Sequence, residues 1–165
     1  MGARADHHIS LRVSDLDRSI RFYEHALGGH VVAPTRTLEG PYIEEVFGEG
    51  VRVKVCHVAL DVNALELWEF LEPASPIPPA EQTTLGQMHF GVTVDDVPET
   101  LARVEEAGGR ARFRVKRLAG GADTPRFVYC EDPDGNVFEL VEADHPTTIR
   151  IILEAAARAG GKESE

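Results

Sequence analysis

Cysteine is scarce in this chain, and the two cysteines, Cys56 and Cys130, lie far apart and form no CxxC pair. That usage predicts a reduced, cytoplasmic protein. Long apolar runs are also missing, and none approaches the ~20 residues that a membrane-spanning helix needs. The first eight residues lack the apolar core of a secretory signal. These absences argue against membrane insertion and secretion.

Positive charge is in short supply as well. Lys and Arg number 17 against 28 Asp and Glu, which gives a formal net charge of −11. Nucleic acid and anionic lipid repel such a surface, so neither is an expected partner. What remains is an ordinary globular composition, with 42% hydrophobic and 27% charged residues. The sequence therefore points to a small-molecule substrate or to protein contacts.

The chain repeats itself. The stretch HISLRVSDLDRSIRFYEHALGG returns, less closely, as HFGVTVDDVPETLARVEEAGG, so that His89 stands 81 residues after His8. Farther along, ALELWE returns as VFELVE, and Glu139 stands 73 residues after Glu66. Repeats of this kind indicate two units built on one plan.

Each half reads as β-α-β-β-β. A short alternating strand is followed by an amphipathic helix, which Ser14 or Asp15 would cap in the first half and Asp95 or Asp96 in the second. Glycine pairs end both helices. Later strands are predicted in GHVVAPT, VRVKVCHVAL and ALELWEF, then in RARFRV, RFVYC and NVFELVE. The predicted fold class is α+β, with paired βαβββ modules forming a cupped mixed sheet and the helices outside.

Boundaries follow from composition. We expect an N-terminal module at 1–73, a proline-rich linker at 73–86, a C-terminal module at 86–144, and a helix and tail at 145–165. The apolar stripe of that helix is predicted to contact the domain or a second subunit. The stripe comprises Ile149, Ile152, Leu153 and Ala156. The segment 35–49 has no assigned element.

Strand alternation places the repeated His and Glu residues on one kind of face. Successive side chains point to opposite sides of a strand, so His8 and His89 face away from the helices. Glu66 shares its face with Trp68 and Phe70. A lone His or Glu is more often a surface or satisfied polar residue, but the recurrence at matched positions favours a metal site. Two imidazoles and two carboxylates suit Zn, Ni, Co, Mn or Fe(II).

The quoted motifs, together with EDPDGNVFEL, resemble the vicinal oxygen chelate superfamily over about residues 7–143. That superfamily includes glyoxalase I, methylmalonyl-CoA epimerases, extradiol dioxygenases and bleomycin-resistance proteins. The resemblance implies paired βαβββ modules around a metal. It also implies metal ligands at His8, Glu66, His89 and Glu139, with His7 outside the cup. The His/Glu/His/Glu set is most similar to glyoxalase I.

The resemblance also implies a reaction. The expected function is a metal-dependent lyase or isomerase that moves a proton through a metal-bound enediolate of a small carbonyl or thioester substrate. Glu139 and Glu66 are the candidate proton carriers. Glu44 or Glu45 is an alternative base for epimerisation, against the simpler interpretation of a solvated loop.

Four side chains are predicted to bind substrate. Arg12 shares the face of His8 and would meet a substrate anion, while the aromatic residues would shape the pocket or simply pack. These residues are Arg12, Trp68, Phe70 and Tyr129. Cys130 has no predicted role.

Three alternatives stay open on sequence alone: a methylmalonyl-CoA epimerase-like enzyme, a metal-free drug-binding resistance protein, and an extradiol dioxygenase. Glu66 argues against the dioxygenase, and no glutathione-binding residues are identifiable. The resemblance further implies a homodimer. Whether the four ligands meet within one chain or across two chains is left open.

Overall fold

The computed structural model describes residues 7–61, 63–74 and 88–160. For residues 159 and 160 it describes the backbone alone. The N-terminal module comprises β1 Ile9–Val13, α1 Leu16–Leu27, β2 His30–Leu38, α2 Pro41–Phe47, β3 Arg52–Ala59 and β4 Ala64–Glu72. The C-terminal module comprises β5 His89–Thr93, α3 Val97–Glu106, β6 Arg110–Ala111, β7 Lys116–Arg117, a 3-10 turn Leu118–Gly120, β8 Arg126–Glu131 and β9 Val137–Val141, followed by α4 His145–Gly160. None of the described helices combines the length and apolar character needed to cross a membrane.

Each module builds one mixed sheet on the same plan. The strand orders are β1-β4-β3-β2 and β5-β9-β8-β6, with β7 pairing to β8. The first strand of each module is parallel to its last strand, and the remaining pairs are antiparallel. The α+β fold of paired βαβββ modules is thus confirmed.

The helices begin where the sequence predicts. The Asp15 side chain accepts the Arg18 N–H, and the Asp96 side chain accepts the Glu99 N–H. These caps satisfy amides that have no partner inside the helix. Gly28 ends α1 in the left-handed conformation, with φ of 69°. Both helix starts therefore follow one design.

One hydrophobic core joins the two modules. Helices α1 and α3 pack against each other, and a single buried cluster draws side chains from both sheets. Phe22 of α1 contacts Phe138 of β9 edge to face, with ring centroids 6.2 Å apart. The opposite side of each sheet, here called its open face, carries the side chains that alternate with this core.

A turn of the C-terminal module fastens the start of the N-terminal module. Asp134, in the predicted DPDG turn, accepts hydrogen bonds from the backbone N–H and the hydroxyl of Ser14. The buried Tyr23 hydroxyl donates to Asp132 at 2.8 Å. Asn136 Nδ2 donates to the Arg12 carbonyl oxygen at 3.0 Å. The strand that carries Arg12 is therefore held by the other module.

The structure differs from the sequence predictions or adds to them at three places. RARFRV is not one strand, because β6 ends at Ala111 and β7 begins only at Lys116. Segment 35–49, for which no element was predicted, contains the helix α2. On α4 it is Ile151 that packs on Leu118 and Ala143, whereas the predicted stripe is exposed on this chain, so its contact with a second subunit stays a prediction. Most of the predicted linker, from residue 75, lies outside the described residues, and the module boundaries remain predictions.

Candidate functional site

The open face of the N-terminal sheet gathers one His/Glu pair and its neighbours, here called the N half-site. It comprises His8, Ser10, His57, Glu66 and Trp68. His8 Nε2 lies 3.3 Å from Glu66 Oε2. His57 Nε2 lies 3.3 Å from Glu66 Oε1. Glu66 is thus flanked by two imidazoles, one at each carboxylate oxygen.

Register explains this gathering. Glu66 on β4 pairs with Ser10 on β1 on one side and with His57 on β3 on the other. Directly opposed residues share a face, so all three side chains emerge on the open face. Trp68, two residues farther along β4, follows on the same face and donates its Nε1–H to Glu66 Oε2 at 2.8 Å.

His7 also reaches this half-site. Its Nδ1 lies 2.7 Å from His8 Nδ1, and the two rings meet edge to face. His7, which was predicted to lie outside the cup, therefore contacts the half-site through His8.

Arg12 stands beside the half-site among three aromatic rings. Its guanidinium carbon lies 5.0 Å from the Phe70 ring centroid, 5.6 Å from Phe47 and 5.9 Å from Trp68. Such distances permit cation–π attraction. Burial lowers the pKa of Arg12, and the nearby Glu66 carboxylate opposes that shift. The predicted pocket residues Arg12, Trp68 and Phe70 thus form one group.

The equivalent place in the C-terminal sheet, here called the C half-site, comprises His89, Gly91, Tyr129 and Glu139. Glu139 on β9 pairs with Gly91 on β5 and with Tyr129 on β8. The Tyr129 and His89 rings lie 4.7 Å apart between centroids. A Cβ at Gly91 would approach Glu139 Oε2 only to 4.0 Å, so glycine leaves room beside that carboxylate.

Electrostatics set Glu139 apart. Burial raises its pKa, although the neighbouring His89 works against the shift. Burial also raises the pKa of Tyr129, and the Glu139 charge adds to the effect. Among the described residues, no side chain donates a hydrogen bond to Glu139. This carboxylate is therefore partly desolvated and not held by a donor.

The four predicted ligands appear as two pairs, not as one cluster. Within residues 7–61, 63–74 and 88–160, no group of three or more His, Cys, Asp or Glu side chains is arranged to hold a metal ion. One chain thus presents a His/Glu pair on each open face.

Four residues in or beside the two half-sites are absent from the predicted set: Ser10, Phe47, His57 and Gly91. His57 continues the alternation of Val53 and Val55, which was a usable signal, but its pairing with Glu66 depends on the β3–β4 register. Phe47 lies at the end of α2, which the sequence did not predict.

Two further candidates gain no role from their positions. Glu44 lies on α2 and not in the expected loop, and its side chain accepts the Gly50 backbone N–H at 3.2 Å, where the chain leaves that helix. Cys130 is buried, and burial raises the pKa of its thiol to about 12. A thiol of that pKa carries almost no thiolate at neutral pH.

Comparisons with known proteins agree with this architecture. Residues 7–140 match the model of the Glyoxalase/Bleomycin resistance protein/Dioxygenase superfamily. Lactoylglutathione lyase of Salmonella typhimurium is 30% identical over 138 residues, which cover 82% of this chain and 90% of that protein. A probable chloroplastic lactoylglutathione lyase of Arabidopsis thaliana is 30% identical over 136 residues, and the chain spans only 35% of its length.

The fold has solved counterparts. A glyoxalase family protein from Bacillus cereus superposes with a TM-score of 0.75 at 23% identity, and the match covers 86% of this chain and 95% of that one. At this identity the likeness speaks for the fold alone.

Proposed function

The chain belongs to the glyoxalase/bleomycin resistance protein/dioxygenase superfamily, and we propose that it is a metal-dependent lyase or isomerase of the glyoxalase I type. The observation that carries the proposal is the His/Glu pair at the same position of each module. His8 and Glu66 touch on one open face, and His89 and Glu139 share the other, on the paired strands β5 and β9. Surface residues without a shared role need not recur at matched positions of the two modules.

The donor set fits a divalent ion. His8, Glu66, His89 and Glu139 would hold it through two neutral imidazoles and two carboxylates, a combination used for Zn, Ni, Co, Mn and Fe(II). When bound, such an ion supplies Lewis-acid stabilisation of the charge that develops as a proton leaves carbon next to a carbonyl.

Two copies of the chain would complete the set. Because the described part of one chain offers pairs and no larger cluster, we place the N half-site of one protomer against the C half-site of another. A symmetric homodimer would then hold two equivalent sites.

Glu139 is the better proton carrier of the two carboxylates. It accepts no hydrogen bond from the described side chains, so its carboxylate can turn away from a bound ion and take up a proton beside it. Glu66, by contrast, is occupied by Trp68 and Ser10.

Arg12 defines the substrate end of the site. A guanidinium held among Phe47, Trp68 and Phe70 is positioned to accept an anionic group of a small carbonyl or thioester substrate. The related proteins are named lactoylglutathione lyases, so a hemithioacetal of glutathione is the first substrate to test.

The test is metal analysis followed by a substrate screen. We expect about one divalent ion per chain and turnover of a glutathione hemithioacetal in its presence. Glu139→Gln should lower kcat by at least about 100-fold, the contribution typical of a positioned general base. Glu105→Gln, at an exposed position of α3, is the control and should keep wild-type turnover.

Other results would redirect or end the proposal. Turnover of acyl-CoA thioesters alone would indicate the epimerase, and oxygen uptake with catechols and Fe(II) the dioxygenase. A protein that binds no divalent ion, even when Ni, Co, Zn or Mn is added, would not be a metalloenzyme of this type.

A further inference from the structure

We infer that His57 is a positioning residue which, together with Ser10 and Trp68, fixes the Glu66 carboxylate on the open face of the N-terminal sheet. The inference rests on the proposed function, in which Glu66 holds the metal. It gives His57 a role in metal binding that does not require it to be a ligand.

Both oxygens of Glu66 are engaged. Oε2 accepts the Trp68 Nε1–H at 2.8 Å and the Ser10 hydroxyl at 3.3 Å, while Oε1 faces His57 Nε2 at 3.3 Å. The Glu66 side chain is only 16% exposed, so few water molecules compete for these positions. Contacts on both oxygens restrict rotation of the carboxylate.

His57 contributes the contact that no other described residue makes. Ser10 and Trp68 both bond Oε2, and Ser10 also accepts a hydrogen bond from Arg12. Oε1 is approached only by His57 among the described side chains. Without it, the carboxylate could turn about its last bond while keeping the Trp68 hydrogen bond.

The fold does not require this clamp, because the second module lacks it. Equivalent register places Tyr129 opposite Glu139 where His57 stands opposite Glu66, and Gly91 where Ser10 stands. Neither donates to Glu139. The clamp is therefore a feature of side chains chosen in one module and not of the shared backbone.

A fixed carboxylate loses little freedom when an ion binds. Residues that orient a metal ligand typically contribute 10–100-fold to metal affinity. If His57 has this role, its loss should weaken metal binding, whereas the same substitution at a histidine outside both half-sites should not.

The chain carries its own probe of this effect. It has a single tryptophan, Trp68, which is bonded directly to Glu66. Its fluorescence should therefore change when Co(II) is titrated into the metal-free full-length protein. The Co(II) absorption bands give a second reading that depends on ligand geometry.

The experiment compares four proteins by Co(II) titration: wild type, His57→Phe, His57→Gln and His30→Phe. His57→Phe should weaken Co(II) binding at least about tenfold and change the absorption bands. His57→Gln, which restores an N–H donor, should recover most of the affinity. His30→Phe, the same substitution at an exposed position of β2, should bind Co(II) within about twofold of wild type. Circular dichroism checks that each variant is folded.

Two results would overturn the inference. One is wild-type Co(II) affinity in His57→Phe, and the other is a failure of His57→Gln to recover what His57→Phe loses. If His57→Phe does not fold, Ser10→Ala at an exposed position of β1 tests the same clamp. Its Co(II) affinity should fall about threefold, and an unchanged Co(II) affinity would overturn the inference. A wild-type protein that binds no Co(II) would instead overturn the proposed function itself, and the inference with it.

Discussion

Glu66 and Glu139 occupy the same position in two copies of one module, yet their surroundings differ. Glu66 touches two imidazoles, an indole N–H and a hydroxyl. Glu139 has His89 and Tyr129 as neighbours and accepts no hydrogen bond from the described side chains. Duplication preserved the backbone plan, and the side chains around it then separated the two carboxylates into a fixed one and a free one.

The same comparison gives the opposite result on the core side of the sheets. Glu69 accepts the Leu16 N–H at 3.2 Å, and its counterpart Glu142 accepts the Val97 N–H at 2.8 Å. Each is also paired with a cation on the neighbouring strand. The core side kept its contacts in both modules, whereas the open faces diverged, as expected if the framework is shared and the chemistry is not.

The largest effect should come from the shared core. Leu67 and Leu140 are matched positions of β4 and β9, and both are fully buried in one cluster. We expect Leu67→Ala and Leu140→Ala each to lower the free energy of unfolding by about 3 kcal/mol, through lost burial and the cavity left behind. Urea denaturation should show a single transition in both variants. Two separated transitions would mean that the modules unfold independently.

A smaller effect should follow from the ionic contacts at the helix starts. Burial alone would raise the pKa of Glu142. The Arg126 guanidinium and two backbone N–H donors outweigh burial and hold that pKa at about 2. Because the folded-state pKa is depressed, the stabilisation is present above about pH 4.5 and is lost as pH falls toward 2. Glu142→Gln should therefore cost about 1–2 kcal/mol at pH 7.

Stability measured across pH checks this prediction. The difference between wild type and Glu142→Gln should shrink steadily from pH 5 to pH 2. Glu69→Gln, which removes the matched contact in the first module, should also destabilise the protein at pH 7. A pH-independent difference for Glu142→Gln would contradict the role assigned to its charge.

The helix caps should respond unequally. Asp15→Ala removes the N-cap of α1 and should cost about 1 kcal/mol. Asp96→Ala removes the N-cap of α3 together with a 2.9 Å bond from Arg126, so it should cost more. Thermal unfolding of the two variants gives the ranking directly, and equal losses would show that the Arg126 bond adds nothing.

The smallest effects should come from exchanging Ser10 and Gly91, the residues that pair with Glu66 and Glu139 from the first strand of each module. Ser10→Gly gives the first module the residue of the second, and Gly91→Ser does the reverse in a position that has room for the side chain. One hydrogen bond is lost or gained, so Co(II) affinity should change by a few-fold in Ser10→Gly. In Gly91→Ser, the new donor should slow proton transfer more than it changes Co(II) affinity. Unchanged kinetics would mean that the freedom of Glu139 is unimportant.

Sequence patterns were sufficient for the framework. The matched His and Glu positions, the capping residues Asp15 and Asp96 and the alternation of each strand all depend on local spacing. Local spacing is what a single sequence displays, so the fold class and the faces of His8 and Glu66 could be predicted from it.

What escaped prediction depends on contacts between distant residues. His57 meets Glu66 only because β3 and β4 pair in one register, and no spacing rule reveals that partner. Helix α2 is short and exposes Tyr42 and Val46, so it shows no clear apolar stripe. Alternation in RARFRV predicted a strand, but the strand is interrupted between β6 and β7, so Phe113 can pack on Phe127 and Tyr129.

The hydrogen bond from Asn136 to the carbonyl of Arg12 limits how this protein can be taken apart. The anchor of the first strand is encoded more than a hundred residues downstream, in a loop of the other repeat. A chimera with a foreign C-terminal repeat would need a matching asparagine and aspartate in that loop. Without them, β1 would lose its contacts with the other module. The two repeats therefore cannot be exchanged independently, because the start of the first is anchored by side chains of the second.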